Sequence, residues 1–114
     1  MLARENRLRS ADDFRITMKL GRKATTEHLV VYMSSGNESD KPRFGFVVGK
    51  TVGNSVERNR VKRRARSLAQ ANLASFDGAQ NIVIRTLPGT AQTSWQELSE
   101  EFSSALSRLK AAKA

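Results

Sequence analysis

The stretch SVERNRVKRRAR, residues 55–66, combines six basic side chains with the apolar spacing of a helix. Val61, Ala65 and the following Leu68 lie within about 60° of one another on a helical wheel, so they predict one narrow packing stripe. The bases occupy most of the circumference that the stripe leaves free, and they are Arg58, Arg60, Lys62, Arg63, Arg64 and Arg66. We therefore expect a helix from about 56 to 73, capped by Asn54 or Ser55, that packs along one side only.

Charge is concentrated in the same part of the chain. The protein has a net charge of +9, and residues 1–66 hold 16 Lys and Arg against 7 Asp and Glu, whereas residues 67–114 hold four of each class. Like charges four residues apart destabilise a helix by a few tenths of a kcal/mol per pair, so a purely structural helix would gain from more acids than Glu57. A solvated charged face is the alternative. The concentration of charge favours a phosphate-bearing partner.

Periodicity predicts the elements on either side of this helix. Ser10 caps a short helix over residues 11–20, and Ser94 with Glu97 forms a capping box that opens a C-terminal helix. The apolar face of that last helix consists of Trp95, Leu98, Phe102, Ala105, Leu106 and Leu109. Strands are predicted over 28–33, 43–49 and 81–86, with a loop at 34–42.

This order of helices and strands predicts an α+β fold. The strands at 28–33 and 43–49 are expected to form an antiparallel hairpin, and the helices to pack on a small sheet. At 114 residues the chain can bury one modest core, and no linker divides it, so we expect a single domain over residues 1–114.

Several functional classes lack the residues that they need. There is no Cys, which excludes disulfides and thiolate chemistry, and the single His, His28, is expected to be structural. No motif provides paired carboxylates or a cluster of metal ligands. The N-terminus lacks a signal-like apolar run, and no stretch approaches the roughly 18 apolar residues of a membrane span. A soluble cytoplasmic protein without a membrane partner is expected.

Stacking residues would favour single-stranded nucleic acid as the partner. Phe14 and Met18 lie one turn apart on the first predicted helix, and Tyr32 lies on the first predicted strand. They are candidates for a platform on which unpaired bases stack. Ordinary core packing is the alternative for all three.

The segment GNSVERNRVKRRAR resembles the protein subunit of bacterial ribonuclease P, whose basic helix contains Arg-Asn-Arg. NRLRSADDF, GFVVGKTVGNS and IVIRTLPG extend the resemblance over most of residues 6–89. It implies a small α/β sandwich with a left-handed βαβ crossover through the basic helix. The implied RNA-binding residues are Lys50, Asn54, Arg58, Asn59, Arg60, Lys62, Arg63 and Arg66, and the implied leader-contacting cleft holds Phe14, Met18 and Tyr32. Met18 stands where an aromatic is common, and Thr51 where a Lys is frequent.

The resemblance also implies a division of labour. The catalyst would be the RNA subunit, which uses Mg²⁺ to hydrolyse the phosphodiester joining the 5′ leader to mature tRNA. The protein would bind that RNA, one protein per RNA, and the leader of precursor tRNA, and would hold no catalytic residue or metal site of its own. The alternative is a general RNA-binding or ribosome-associated protein. A DNA-binding module is less favoured because no helix-turn-helix pattern flanks the basic helix.

Overall fold

The computed structural model describes residues 2–35, 41–76 and 80–112, with side chains up to residue 110. Within these residues a four-stranded sheet is packed by three α-helices. The helices are α1 (Ala11–Leu20), α2 (Ser55–Ala71) and α3 (Trp95–Ala112), and the strands are β1 (Arg22–Thr25), β2 (Leu29–Ser35), β3 (Arg43–Val48) and β4 (Gln80–Thr86). The expected α+β class is confirmed.

The order of the sheet is β1-β2-β4-β3, which corrects the expected hairpin. β4 lies between β2 and β3, antiparallel to the first and parallel to the second. The strand buried on both faces occupies the middle of the sheet: Ile82, Val83 and Ile84 are all fully buried. β3 therefore reaches β4 by a crossover through α2. The left-handed sense of that crossover stays an expectation from the resemblance.

The hairpin partner of β2 is β1, a strand that sequence patterning did not predict. β1 is a short edge strand of sequence RKAT, and only its Ala24 is buried. Charged side chains on an edge strand discourage pairing with other chains, but they also remove the apolar alternation by which strands are recognised.

One face of the sheet forms the main core with α2 and α3. Phe44, Val31 and Ile82 are among its buried strand residues, and Phe102 of α3 is fully buried against them. The predicted face of α3 is confirmed from Leu98 onward. The prediction that Trp95 belongs to this apolar face is wrong. Its side chain is 42% exposed, because it lies at the first position of α3, before the residues that pack on the sheet.

The opposite face is only partly covered, by α1. Its smaller cluster consists of Leu8, Val30, Tyr32 and Val83, with Phe14, Met18, Val47 and Leu87 partly buried against them. The Ser10 side chain accepts a hydrogen bond from the backbone N–H of Asp13, which confirms the predicted cap. Only Thr17 of α1 is buried, so this helix lies shallowly on the sheet.

α2 is held by its apolar stripe and by two arginines. Val61, Ala65 and Leu68 are buried as predicted. Arg60 Nη2 donates to the carbonyl of Ala91 at 3.0 Å, and Arg64 Nη1 donates to that of Thr93 at 2.7 Å. These bonds tie the side of α2 next to the stripe to the turn that follows β4. The helix ends at Ala71, two residues before the predicted end.

Glu101 of α3 joins that helix to the β1–β2 turn. Its carboxylate accepts from Thr26 Oγ1 at 2.6 Å and from the His28 backbone N–H at 2.7 Å, and it lies 2.7 Å from His28 Nδ1. Burial raises the pKa of Glu101, but the hydrogen bonds from Thr26 and His28 and the charge of His28 outweigh that effect and lower it overall. His28 thus has the structural role that was expected.

Glu101→Gln is expected to lower the free energy of unfolding at pH 7 by about 1 to 3 kcal/mol, because the bonds lose their ionised acceptor. Because the folded-state pKa is lowered, the stabilisation by the carboxylate is present above the unfolded-state value and is lost as the pH falls through the folded-state value. Urea unfolding between pH 7 and pH 3 should therefore show the variant and wild type converging at low pH. Glu27→Gln, at an exposed site in the same turn, is the control, and an equal loss in both variants would contradict this role of Glu101.

Candidate nucleic-acid interface

The exposed side of α2 presents a row of four cations and one amide that we term the α2 basic row: Arg58, Asn59, Lys62, Arg63 and Arg66. Asn59, Lys62, Arg63 and Arg66 are exposed, and Arg58 is half-buried. Their exposure follows from the packing, since the stripe and the two anchoring arginines occupy the rest of the circumference. The row therefore faces solvent on a helix that cannot rotate without breaking its contacts with the sheet and the turn after β4.

Not every base of the opening stretch belongs to this row. Arg60 and Arg64 were expected on an open basic face, but their guanidinium groups are hydrogen-bonded to main-chain carbonyls of the same protein. Arg58 makes only long contacts, 3.5 Å from Nη1 to the Gly53 carbonyl and 3.4 Å from Nη2 to Ser55 Oγ. Arg58 thus has N–H donors available for a partner, whereas Nη2 of Arg60 is already hydrogen-bonded within the protein.

Asn54 is engaged at the start of α2. Its Oδ1 accepts from the Glu57 backbone N–H at 2.9 Å, and Glu57 Oε1 accepts from the Asn54 backbone N–H at 3.0 Å. This capping box settles which of the two predicted caps is used. The second oxygen of Glu57 accepts from Gln92 Nε2 at 3.0 Å. The one carboxylate of the stretch is therefore occupied, and it neutralises none of the row by an ion pair.

The α2 basic row has no acidic partner in the part of the chain that the structure describes. The salt bridges there join Arg15 to Asp12, His28 to Glu101 and Lys41 to Glu5. None of them involves α2. An uncompensated row of this kind raises the local concentration of polyanions and suits bidentate contacts between arginine and phosphate.

Phe14, Met18 and Tyr32 all lie in the smaller cluster between α1 and the sheet. Phe14 and Met18 are half-buried, whereas Tyr32 is 8% exposed. Phe14 rests on Gly45, since a Cβ there would lie 2.4 Å from two of the ring atoms. The Phe14 side chain is therefore partly open to solvent, whereas Tyr32 is largely buried in the same cluster. The prediction that these residues contact a leader stays a prediction.

A cleft of about 340 Å³ brings Phe14 together with bases of α2. Lys62 and Arg66 line one side of it, and Arg7 and Arg9 of the N-terminal segment line another. We term it the edge cleft, because β3 lies at the edge of the sheet and contributes Phe44, Gly45 and Phe46 to the lining. An aromatic ring among cations is the combination that binds single-stranded nucleic acid by stacking and by phosphate contacts.

Further cations lie near these residues. Lys50 is exposed in the short 3₁₀ turn Lys50–Val52 that follows β3. Arg85 is exposed on β4, on the face of the sheet that α1 covers in part, with Val30 and Val47 opposite it on the neighbouring strands. Sequence reasoning did not select Arg85, Arg7 or Arg9. The available signal for Arg85 was a lone Arg directly after the apolar run Ile82, Val83 and Ile84.

Comparison with known proteins agrees with this geometry. A family model described as Ribonuclease P matches residues 2–110. The ribonuclease P protein component of Clavibacter michiganensis is 44% identical over 108 residues, covering 95% of this chain and 96% of that protein. The component from Acidothermus cellulolyticus is 42% identical over 110 residues, covering 96% and 92%.

Solved structures agree as well. The RNase P protein of Staphylococcus aureus superposes with a TM-score of 0.81 at 26% identity, covering 92% of this chain and 95% of that one. The RNase P protein of Thermotoga maritima gives a TM-score of 0.77 at 26% identity, covering 90% and 96%. The family match, the similar sequences and the shared fold lead to one conclusion: the chain belongs to the ribonuclease P protein family.

Proposed function

We propose that this chain is the protein subunit of ribonuclease P, and that it binds both the RNA subunit and the 5′ leader of precursor tRNA during removal of the leader. The edge cleft supports the proposal most directly, because it places the Phe14 ring beside Lys62 and Arg66. In this assignment the α2 basic row binds the RNA subunit. The cleft and the adjoining surface of α1 bind the unpaired leader.

A leader is single-stranded, so its bases are free to stack and its phosphates are spaced along a flexible backbone. Phe14 provides a ring held in place by Gly45, and Met18 provides a polarisable thioether on the same helix, one turn away. Neither contact distinguishes one base from another. We infer that binding depends on the presence of a leader more than on its sequence.

We assign catalysis to the RNA subunit, which would also bind the Mg²⁺ ions that the reaction uses. In the described parts of the chain no group of three or more His, Cys, Asp or Glu side chains is placed to hold a metal ion. What the protein contributes is positive charge and a stacking surface. The positive charge lowers the free-energy cost of bringing two polyanionic RNAs together. The stacking surface holds the bases of the leader.

A general RNA-binding role without an enzyme is the second candidate, and the family and its relatives do not favour it.

No helix in the described regions is both long and apolar enough to span a membrane. We place the protein in the cytoplasm, with one copy bound to each RNA subunit.

Reconstitution tests the proposed function directly. The protein, added to its cognate ribonuclease P RNA at low Mg²⁺ concentration, is expected to restore cleavage of precursor tRNA at the mature 5′ end, because its cations offset repulsion between the two RNAs. Protein alone should cleave nothing. Cleavage by the RNA that is unchanged by the protein would contradict the proposal.

Arg63→Ala and Arg64→Ala should separate binding from folding. Arg63 is exposed in the α2 basic row, so its loss should weaken RNA-subunit binding and reduce the log–log salt slope by about 0.7 to 0.9. Arg64 anchors α2 to Thr93, so its loss should instead lower the unfolding free energy by about 1 to 2 kcal/mol. Filter binding at several salt concentrations and urea unfolding measure the two effects. The assignment fails if both variants change the same quantity.

Phe14→Leu keeps an apolar side chain on Gly45 but removes the ring. Binding of leader-bearing precursor tRNA by the holoenzyme should weaken by about 1 kcal/mol or more, at least about fivefold in Kd, because one stacking contact is lost. Leaderless tRNA should bind as it does to wild type. Ile16→Leu, at an exposed position of the same helix, is the matched control, and an equal loss for both RNAs would remove Phe14 from the leader site.

A further inference from the structure

A second basic cleft lies beside the edge cleft, and neither the α2 basic row nor the stacking residues account for it. It has a volume of about 490 Å³. Four arginines line it, and we term it the N-terminal arginine cleft: Arg4, Arg7, Arg9 and Arg43. The remaining lining residues are Glu5, Ser10 and Asp13.

The backbone around this cleft is pinned to the sheet. Asn6 is buried and its Nδ2 donates to the Pro42 carbonyl at 2.9 Å. The Leu8 backbone N–H donates to the carbonyl of Phe44 at 2.8 Å, and Arg7 forms a parallel bridge to the same residue. The N-terminal segment thus runs along the free edge of β3. Its arginines are held at fixed points instead of moving as a tail.

Arg7 is oriented as well as positioned. It is half-buried, and its Nε donates to the Leu2 carbonyl at 3.2 Å. That bond uses one of the five N–H donors of the guanidinium and leaves the two terminal nitrogens for a partner. A held guanidinium loses less side-chain entropy when it forms a bidentate contact.

The acids near the cleft do not neutralise it. Glu5 is paired with Lys41 at 2.8 Å, so a cation other than the four arginines already offsets its charge. Asp13 lies in the first turn of α1, where the helix dipole already favours a negative charge. None of the salt bridges within the described residues involves Arg4, Arg9 or Arg43. Guanidinium groups gathered in this way repel one another unless an anion lies among them.

The two clefts adjoin each other, because Arg7 and Arg9 line both. Cations therefore continue from Lys62 and Arg66 on α2, across the N-terminal segment, to Arg43 at the start of β3. A chain of phosphates is the partner with charge repeated along its length. A single small anion would use only a part of this surface.

Resting on the proposed function, we propose that the N-terminal arginine cleft is a second RNA phosphate-binding site that continues the path begun in the edge cleft. Its ligand is the phosphodiester backbone of RNA. That backbone belongs either to leader nucleotides beyond those at Phe14 or to the RNA subunit, and the same variant tests both sources.

The test uses the double variant Arg4→Gln/Arg43→Gln, because these two residues line the N-terminal arginine cleft but not the edge cleft, and the shared Arg7 and Arg9 are left intact. The control is Lys23→Gln/Lys110→Gln, which removes the same charge from exposed sites on β1 and α3. Two assays are run on the reconstituted holoenzyme or its parts: the Kd for precursor tRNA with leaders of increasing length, and the Kd of the protein for the RNA subunit, each at several salt concentrations.

If the arginine double variant loses affinity only for long leaders, the site holds leader phosphates; if it loses affinity for the RNA subunit, the site holds that RNA. In either case the log–log salt slope should fall by about 1.4 to 1.8, for two contacts. Equal behaviour of the two double variants would overturn the site. Restored cleavage by the wild-type protein in the reconstitution experiment reports the proposed function separately, whatever the variants do in the binding assays.

Discussion

The structure depends on how α2, which connects two parallel strands along the chain, packs on the sheet. β3 and β4 are parallel neighbours, so the chain must cross the sheet between them, and α2 is the element that crosses. A helix in that position buries one side against the sheet and leaves the opposite side exposed. Val61, Ala65 and Leu68 provide that side. The orientation of this stripe determines which basic side chains of α2 lie against the protein and which are exposed to solvent.

The same docking divides the arginines of α2 into two kinds. Arg60 and Arg64 donate to carbonyls of the turn after β4, where they satisfy main-chain acceptors that the turn leaves without strand partners. The α2 basic row keeps its donors for a partner, and the only carboxylate of the helix is used in its cap. Charge that looks uniform along the sequence is therefore divided between groups bonded within the fold and groups open to solvent. A charge count for the helix overstates the number of phosphate contacts that it can make.

The thin cover on the other face of the sheet matters equally. α1 buries a single residue fully and leaves Phe14 and Met18 partly open, so the smaller cluster is both a core and a surface. Gly45, in register with Val83 and thus with Tyr32 beyond it, removes the side chain that would push the Phe14 ring away. At the β3 edge this surface meets α2 and the N-terminal segment. Aromatic and basic side chains are brought together there by tertiary contacts between elements far apart in the chain.

Local patterning alone determined the helices, three of the four strands, the two serine caps and the apolar sides of α2 and α3, because these depend on side-chain spacing within one element. The Arg-Asn-Arg pattern also led to the family. Tertiary structure decided the rest: that β4 separates β2 from β3, that polar β1 completes the sheet, and that Trp95 lies outside the core. It also decided that Arg60 and Arg64 donate to main-chain carbonyls, while Lys62 and Arg66 line one cleft with Phe14. Those outcomes depend on burial and on partners in other elements of the fold, which spacing within a single helix or strand does not encode.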